Sequence, residues 1–312
     1  MSFDVTLPLV MLAAFGLFNL LLSAAVAVGW RVLGRVRRAK ADVVLGIRLL
    51  PAVGSAALVL TVVLPAFLLH EPPHAHDEPG VLLVVSALFS LVTLGDGVRR
   101  GWRSWRTTRA LMRNARTLAD QPVPDAPEVS VIDVKAPLVG VVGGWRQRIV
   151  TAPCVAAACD HEEFRQVLAH ERAHRDAWDN LKLLLLLAAP DALAWLPTGR
   201  ALTEHWRAAT ELEADEQASG PDPRNRLALA SALIKVARLA VSDDRARGGS
   251  LRSVGLGGLE DRVRRLLAPS PGASRGFTGL RLLAGAILVP LLAMPLYAPI
   301  HSLIEVLVAF GR

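Results

Sequence analysis

The sequence contains few cysteines and no internal repeat. Its only two cysteines, Cys154 and Cys159, are separated by four residues, and this spacing is not that of a recognised redox pair. We therefore predict that they are small buried side chains rather than a redox centre.

A second absence concerns the first apolar run, which has neither the basic start nor the small-residue cleavage site of a signal peptide. We predict that this run is retained as a membrane span. Hydrophobic residues make up 52% of the 312-residue chain, more than is usual for a soluble globule of this size. They are concentrated in blocks, and a bilayer core requires about 20 helical residues. The four predicted spans cover about residues 7–28, 49–69, 81–98 and 280–312.

Basic residues are missing from one of the connections between these spans, and this sets the predicted orientation. The connection that includes residues 70–79 has no lysine or arginine, whereas the first loop has six basic residues and one acid, Asp42. Loops rich in lysine and arginine stay on the cytoplasmic side of a membrane. We therefore predict an α-helical integral membrane protein with four transmembrane helices, N-out and C-out, in a bacterial-type cytoplasmic (inner) membrane. Residues 97–279 are then cytoplasmic.

No nucleic-acid-binding signature accompanies the arginine-rich stretch at 99–116. Because this stretch directly follows a span, we interpret it as a juxtamembrane helix on anionic lipid headgroups, and we predict no direct nucleic acid binding. The histidine-rich loop at 70–79 has two interpretations. It is either a sensor of divalent metal or pH, or a solvated turn, since three histidines in a proline-rich loop form no rigid ligand set.

The cytoplasmic region is predicted to combine short strands with longer helices. A proline-rich linker at 120–127 is followed by β-branched alternation and glycine-rich turns, which are typical of short strands. Three strands are predicted, at 128–134, 137–144 and 146–152.

A long helix is predicted to begin at Asp160, which is a favourable N-cap with Glu162 and Glu163 in the first turn after it. This helix is expected to continue to Ala189, where Pro190 ends it. Further helices are predicted at about 203–218, 224–241 and 258–269.

The predicted long helix contains the string His170-Glu171-Arg172-Ala173-His174. His-Glu-x-x-His places two imidazoles one turn apart on one helix face, where both can bind one ion, and the glutamate between them can act as a general base on water. A solvated helix with a histidine pair is the alternative, and the neighbouring arginines fit such a helix.

A third ligand is available downstream, in the segment TELEADEQA. Glu211 can complete a His-His-Glu set that leaves the fourth tetrahedral position open, and Asp215, one turn later, can accept the spare N–H of a ligand histidine. An acidic surface helix would explain this segment alone. Together, the two motifs favour one Zn²⁺ per chain.

These residues resemble the membrane gluzincin peptidases. The similarity includes His170-Glu171-x-x-His174, Asp179 and Glu211-x-x-Ala214-Asp215, and it extends to RIVTAP…DHEEFRQVLAHERAH and LEDRVRRLL. With three predicted spans before this region and one after it, the chain looks most like the BlaR/MecR-type antirepressor metallopeptidases. The HtpX and CAAX-protease group shares the Glu-x-x-Ala-Asp motif but usually arranges its spans differently. The resemblance covers roughly residues 97–270.

The resemblance implies a zincin-like α+β metallopeptidase domain at 97–279. Glu171 is then the catalytic base, His170, His174 and Glu211 are the zinc ligands, and Asp215 and Asp179 support the ligand histidines. BlaR/MecR receptors carry an extracytoplasmic penicillin-binding domain after the last span, and none follows here, so we expect no β-lactam sensor in this chain. Ala214 also stands where those receptors often have cysteine.

The apolar segment at 181–196 is long enough to suggest a fifth span. If it crossed the membrane, His174 and Glu211 would lie about 30 Å apart on opposite faces, too far for one ion. We therefore predict that it is either a membrane-apposed or re-entrant segment, with Pro190 and Asp191 near its turn, or a buried core helix of the peptidase domain.

Two further predictions concern substrate and transition state. The strand at 137–144 is either an edge that aligns a peptide by β-augmentation or an ordinary packed strand. His205 and Arg207 lie near the predicted ligand helix and are candidate transition-state stabilisers, although each is equally well explained as a surface residue.

Three functions remain open from the sequence. The first is a membrane-embedded zinc endopeptidase active on the cytoplasmic side; the antirepressor resemblance implies that its substrate is a winged-helix transcriptional repressor, cleaved in signal transduction. The second is an HtpX-like quality-control protease for membrane proteins, and the third is a non-proteolytic receptor with a structural zinc site. Besides the lipid bilayer, a second copy of the chain is a candidate partner, because a monomer and a homodimer are both compatible with the sequence.

Overall fold

The computed structural model describes residues 3–32, 40–70, 80–118, 122–123, 126–134, 136–246 and 258–268, together with the single residues 284 and 302. The predicted fourth span at 280–312 and most of the histidine-rich loop at 70–79 lie outside the described residues. The described part is mostly helical, with one small sheet.

Three described helices are long and apolar enough to cross a membrane, at Thr6–Val32, Ala41–Leu69 and Val81–Ala110. The first belongs to helix α1 (Phe3–Val32) and the third to helix α4 (Val81–Leu118). The second consists of helix α2 (Ala41–Leu58), a π-helical turn (Val59–Val63) and helix α3 (Leu64–His70), which follow one another without a break. The first three predicted spans are therefore confirmed as candidate spans, each longer than the apolar run suggested because polar residues extend the helices.

The residues divide into two compact units. The first includes residues up to Trp102 and the segment Leu186–Trp206, and the second includes Arg103–Leu185 and Arg207–Arg275. In the first unit, Val10 of α1 packs with Val63, Phe67 and Leu83 in one buried cluster. Segment 186–206 therefore groups with the apolar helices.

Residues 189–196, called the 189–196 turn below, contain a 3₁₀ helix at Ala192–Trp195 and are bound by polar side chains of three apolar helices. Asn19 of α1 donates to the Pro190 carbonyl at 2.9 Å and accepts from the Ala192 amide at 3.0 Å. Arg48 of α2 pairs with Asp191 at 2.7 Å, and both side chains are at most 3% exposed. Arg100 of α4 donates to the Ala189 carbonyl at 2.9 Å.

The sheet lies in the second unit. Its strands are β1 (Pro122–Val123), β2 (Ala126–Val131), β3 (Val139–Val142) and β4 (Arg148–Thr151), in the order β1-β2-β4-β3. Strand β2 is parallel to β4, and β3 is antiparallel to it. The three predicted strands are thus confirmed, and the predicted linker contributes the short β1.

Helix α5 (Pro153–Ala158) follows the sheet, and helix α6 (His161–Asp176) begins at the predicted cap. The Asp160 side chain accepts the Glu163 amide and the Glu163 side chain accepts the Asp160 amide, each at 2.9 Å, which makes a reciprocal capping box. Leu168 fixes this helix on the sheet by packing against buried Val129 and Ile149.

The prediction of one continuous helix to Ala189 is wrong. Helix α6 ends at Asp176, and Trp178 has a φ of 59°, in the left-handed region where a helix of L-residues cannot continue. Helix α7 (Asp179–Ala188) starts immediately afterwards. The remaining helices are α8 (Pro197–Ser219), α9 (Pro223–Ala246) and α10 (Leu259–Leu267).

Candidate metal centre

Helix α6 and the part of helix α8 that lies in the second unit bring together the three predicted ligands. His170 and His174 are one turn apart on α6, and their Nε2 atoms lie 3.1 Å from each other. Glu211 of α8 places one carboxylate oxygen 3.6 Å from the His170 Nε2 and the other 3.6 Å from the His174 Nε2. Segment 181–196 therefore does not separate the histidines from Glu211.

The spacing fits a single metal ion. These three side chains each offer one ligand atom, and the atoms lie within 4.8 Å of one another. Ligand atoms bound to a tetrahedral Zn²⁺ at about 2.0–2.1 Å are themselves about 3.3 Å apart, close to the 3.1 and 3.6 Å separations found here. His170, His174 and Glu211 could thus hold a metal ion.

Each ligand histidine has a carboxylate on its other ring nitrogen. The His170 Nδ1 lies 3.0 Å from Asp215 Oδ1, and the His174 Nδ1 lies 2.8 Å from Asp179 Oδ2. A carboxylate at Nδ1 favours the tautomer in which Nε2 carries a lone pair, and it also fixes the ring plane. The predicted supporting positions of Asp215 and Asp179 are therefore found beside the ligands.

Glu171 lies on α6 between the two histidines and is buried, with 7% of its surface exposed. Burial raises the pKa of its carboxyl, and the neighbouring His170 and His174 oppose this shift. A carboxylate with a raised pKa accepts a proton more readily than an ordinary surface glutamate, which suits a general base.

The charges around the ligands are strongly coupled. Burial alone would lower the pKa of His170, but hydrogen bonds with Asp215 and Glu211 outweigh it and raise this pKa to about 9. Burial would raise the pKa of Glu211, but His170 and Arg262 outweigh it and lower this pKa to about 2. Without a metal, these shifts favour a charged pair at neutral pH, in which Glu211 is ionised and His170 is protonated, and a metal that binds His170 would displace the Nε2 proton.

Arg262 of α10 is a further residue of the centre that its sequence position did not reveal. Its guanidinium donates to both oxygens of Asp215, at 2.7 and 2.8 Å, and its Nη1 lies 2.8 Å from Glu211 Oε2. The motif LEDRVRRLL was noticed as a resemblance, but three of its residues are arginines, and a single sequence does not show which of them turns inward.

The packing of α10 on its neighbours explains why Arg262 is the inward one. Val263 and Leu266 of α10 pack in a cluster with buried Leu229 and Ala230 of α9. Arg262 precedes Val263 and has a side chain only 16% exposed, whereas the Arg264 side chain is 69% exposed and pairs with Glu260. The apolar stripe of α10 thus aims Arg262 at α8.

Strand β3 and the turn after α6 form one rim near the ligands. Asn180 donates to the carbonyls of Val141 and Gly143, at 2.7 and 3.2 Å, so this edge of β3 faces the start of α7. Among the described strands, β3 is paired on its other side only, with β4. Trp145 and Trp178 stack edge to face at this rim, with ring centroids 6.3 Å apart.

The two candidate transition-state stabilisers have other contacts in the structure. The His205 ring packs edge-on against Trp30, at a centroid distance of 5.5 Å, and the Arg207 carbonyl accepts the Thr210 hydroxyl at 2.7 Å. Their role in stabilising a transition state stays a prediction.

No protein-family model, curated protein or solved structure matches the chain.

Proposed function

We propose that the protein is a zinc endopeptidase embedded in a bacterial-type cytoplasmic membrane and active on the cytoplasmic side. One observation carries the proposal: His170, His174 and Glu211 converge within 4.8 Å, and buried Glu171 lies between the two histidines on the same helix. His-Glu-x-x-His with a downstream glutamate is the ligand set of zinc peptidases.

The side chains of the centre divide the chemistry between them. Zinc held by the three ligands would supply a Lewis acid that polarises a peptide carbonyl and makes water more acidic. Glu171 accepts a proton from the attacking water and returns it to the leaving amine, and its raised pKa favours the first of these transfers. Asp215 and Asp179 keep the ligand rings in place during these transfers.

The number of protein ligands favours catalysis over a structural site. Structural zinc sites are closed by four protein ligands, whereas catalytic sites use three and leave one position open. Among the described residues, the only metal-binding group of this kind has three members, His170, His174 and Glu211. A non-proteolytic receptor with a structural zinc is therefore the weaker alternative.

A substrate peptide can pair with β3 along the edge away from β4, at backbone groups other than the Val141 and Gly143 carbonyls, which Asn180 occupies. Backbone pairing at a sheet edge aligns an extended chain with little regard to its side chains. On the basis of the antirepressor resemblance, we propose that the substrate is a winged-helix repressor and that its cleavage transmits a signal. Quality control of membrane proteins is the second candidate, supported by Ala214 within Glu-x-x-Ala-Asp.

The test compares cells that produce the wild-type chain with cells that produce Glu171→Gln. Newly formed protein N-termini are identified by mass spectrometry, and the zinc content of the purified full chain is measured. Glu171→Gln is expected to keep one zinc and to lose every wild-type-dependent N-terminus, because its amide cannot accept the proton. Glu162→Gln, an exposed site on the same helix, is the matched control and should behave like the wild type.

The set of cleaved proteins separates the alternatives. A single DNA-binding repressor supports signalling, and many misassembled membrane proteins support quality control. If the wild type binds zinc but produces no N-terminus that Glu171→Gln lacks, the peptidase proposal is wrong and the receptor interpretation remains. If the wild type binds no metal, the metal centre itself is wrong.

A further inference from the structure

We propose that Arg262 is a positioning residue of the metal centre, which holds the third ligand and the carboxylate behind the first ligand in one fixed arrangement. The inference deepens the proposed function and rests on it. It assigns a role to α10, a helix that supplies none of the ligands.

The contacts of Arg262 join Glu211 and Asp215, the two carboxylates that the His170 ring also contacts. Two of its nitrogens donate to Asp215, at 2.7 and 2.8 Å, and a third lies 2.8 Å from Glu211 Oε2. Its Nη2 is also 3.5 Å from the His170 Nε2. One planar guanidinium therefore sets the distance between a ligand carboxylate and the carboxylate that orients His170.

The chemistry of the contact requires an arginine. A guanidinium presents several N–H groups in a rigid plane and can bind two carboxylates at once, whereas the lysine ammonium is a point charge on a flexible stem. Asp215 is 2% exposed, so without Arg262 the His170 ring would be left to compensate its buried charge among the side chains that the structure describes. Ligand-supporting residues of this type usually contribute 10- to 100-fold to metal affinity.

The contact leaves Glu211 free to act as a ligand. Arg262 binds Oε2 of Glu211, and the other oxygen, Oε1, lies 3.6 Å from the His174 Nε2. Glu211 itself is 40% exposed on its side chain, so packing alone does not fix its rotamer. We assign that task to Arg262, because a hydrogen-bonded carboxylate loses less freedom when it binds a metal.

The position of Arg262 in turn depends on the packing of α10. Leu266 is 5% exposed and packs on Leu229 and Ala230 of α9, and Arg226 donates to the Arg265 carbonyl at 2.6 Å. These contacts hold α10 on α9 without the help of Arg262. A substitution of Arg262 can therefore disturb the centre while α10 stays docked.

The first experiment measures the zinc affinity of the purified full chain by competition with a chromogenic chelator. The variants are Arg262→Gln and Arg262→Lys, and Arg264→Gln is the matched control, because Arg264 lies on the same helix but is 69% exposed. We expect Arg262→Gln to lower zinc affinity by about 10- to 100-fold. Arg262→Lys should recover only part of this loss, and Arg264→Gln should equal the wild type.

A second measurement distinguishes positioning from mere stabilisation of α10. Co²⁺ replaces zinc, and its visible absorption spectrum reports the geometry of the ligands. We expect an altered Co²⁺ spectrum in Arg262→Gln and a wild-type spectrum in Arg264→Gln. In the double variant Arg262→Gln/Asp215→Asn, the loss of affinity should be smaller than the sum of the single losses, because the two residues act through one contact.

Each outcome is decisive. If Arg262→Gln keeps wild-type zinc affinity and an unaltered Co²⁺ spectrum, the positioning role is overturned while the metal centre stands. If both Arg262 variants lose α10 docking, seen as new protease cleavage within residues 258–268, with zinc affinity unchanged, Arg262 is a structural residue only. If the wild type itself binds neither ion, the proposed function fails first.

Discussion

The His174 ring depends on Asp179 for its orientation. Asp179 Oδ2 lies 2.8 Å from the His174 Nδ1, and both side chains are mostly covered, at 12% and 15% exposure. Because Asp179 is also the first residue of α7, a useful substitution must keep a good helix start. Asparagine does so, since Asn and Asp are about equally favourable at helix N-termini.

Asp179→Asn is therefore expected to lower zinc affinity by roughly 10-fold or more while the fold is kept. Its neutral amide supports the Nε2 lone pair of His174 less well than a carboxylate does. Chelator competition on the purified chain measures the change. Asp176→Asn, at a residue that is 54% exposed and paired with Arg175, is the control, and equal affinities in both variants would contradict the role of Asp179.

The ligand residues could be predicted from the sequence because helical spacing alone places His170, Glu171 and His174. Glu211 and Asp215 could also be predicted, because the two histidines need a third ligand to hold zinc and a ligand histidine needs an acceptor for its other N–H. The downstream segment offers carboxylates for both tasks, one helical turn apart. Arg262 could not be predicted, because it is 47 residues from Asp215 and belongs to a helix with several arginines. Its orientation follows from the packing of Val263 and Leu266 on α9. The local sequence pattern of α10 does not reveal this tertiary contact.

At the scale of elements, the start of α6 carries a charge-dependent contribution to stability. Glu163 closes the capping box and also accepts Lys235 at 2.5 Å and Ser231 at 2.6 Å. Burial would raise the pKa of Glu163, but these hydrogen bonds outweigh it and hold the pKa below its usual value. The charged form is therefore favoured by folding, and the stabilisation is present above about pH 4.3 and lost as the pH falls through the lower, folded-state pKa.

Glu163→Gln should lower the stability of the second unit at pH 7 by about 1 kcal/mol, because it loses the ion pair with the partly exposed Lys235. Thermal unfolding of the purified chain at several pH values measures the difference. The difference from the wild type should shrink below about pH 4.3. Glu162→Gln, at an exposed position of the same turn, should be as stable as the wild type at all pH values. A pH-independent loss in Glu163→Gln would contradict this account.

A second prediction for an element concerns the 189–196 turn. Arg48 and Asp191 form a pair with side chains 3% and 0% exposed, and Asp191 also accepts the Ala194 amide at 3.0 Å. Removing one partner leaves a buried charge uncompensated, at a cost of about 3–5 kcal/mol. Arg48→Met and Asp191→Asn should therefore each lower the melting temperature of the chain in lipid nanodiscs.

The double variant Arg48→Met/Asp191→Asn should be less destabilised than the sum of the two single variants, since it leaves no isolated charge. Arg99→Gln is the control, because its pair with Asp96 is exposed at the arginine side and such pairs contribute little. Additive losses in the double variant would show that the two side chains do not depend on each other.

The break between α6 and α7 shows why the elements could be predicted only in part. The N-cap at Asp160 and the stop at Pro190 are local signals, and both were predicted, whereas the reciprocal hydrogen bond from the Asp160 amide to Glu163 was not. The left-handed backbone at Trp178 has no such signal, because tryptophan does not favour positive φ. The turn is instead accompanied by tertiary contacts of the residues beside it, Asp179 with His174 and Asn180 with the β3 carbonyls.

At the scale of the whole molecule, one continuous helix, α8, belongs to both compact units. Its first residues group with the apolar helices, where Leu202 and Trp206 are buried, and Glu211 is five residues further on in the second unit. The apolar blocks predicted three of the spans directly. The return of the chain at 189–196 could be inferred only because the metal ligands on either side of it have to meet.

This requirement makes a prediction for membrane topology that uses one native cysteine. The prediction that the two cysteines are buried is wrong, because Cys154 and Cys159 are both half-buried, and Cys159 is therefore open to labelling. Cys159 lies before the ligand histidines, and Arg224 is an exposed residue after Glu211. A chain with Cys159 as its only cysteine and a chain with only an introduced Arg224→Cys should both resist a membrane-impermeant maleimide in intact cells. Both should react in inverted vesicles, because basic loops keep this region in the cytoplasm. A chain with only Ala75→Cys, in the loop that has no lysine or arginine, should show the opposite pattern.

Labelling of positions 159 and 224 from opposite faces would contradict the metal centre, since a membrane core about 30 Å thick would then separate His174 from Glu211. Labelling of both from outside would instead reverse the orientation and leave the centre intact.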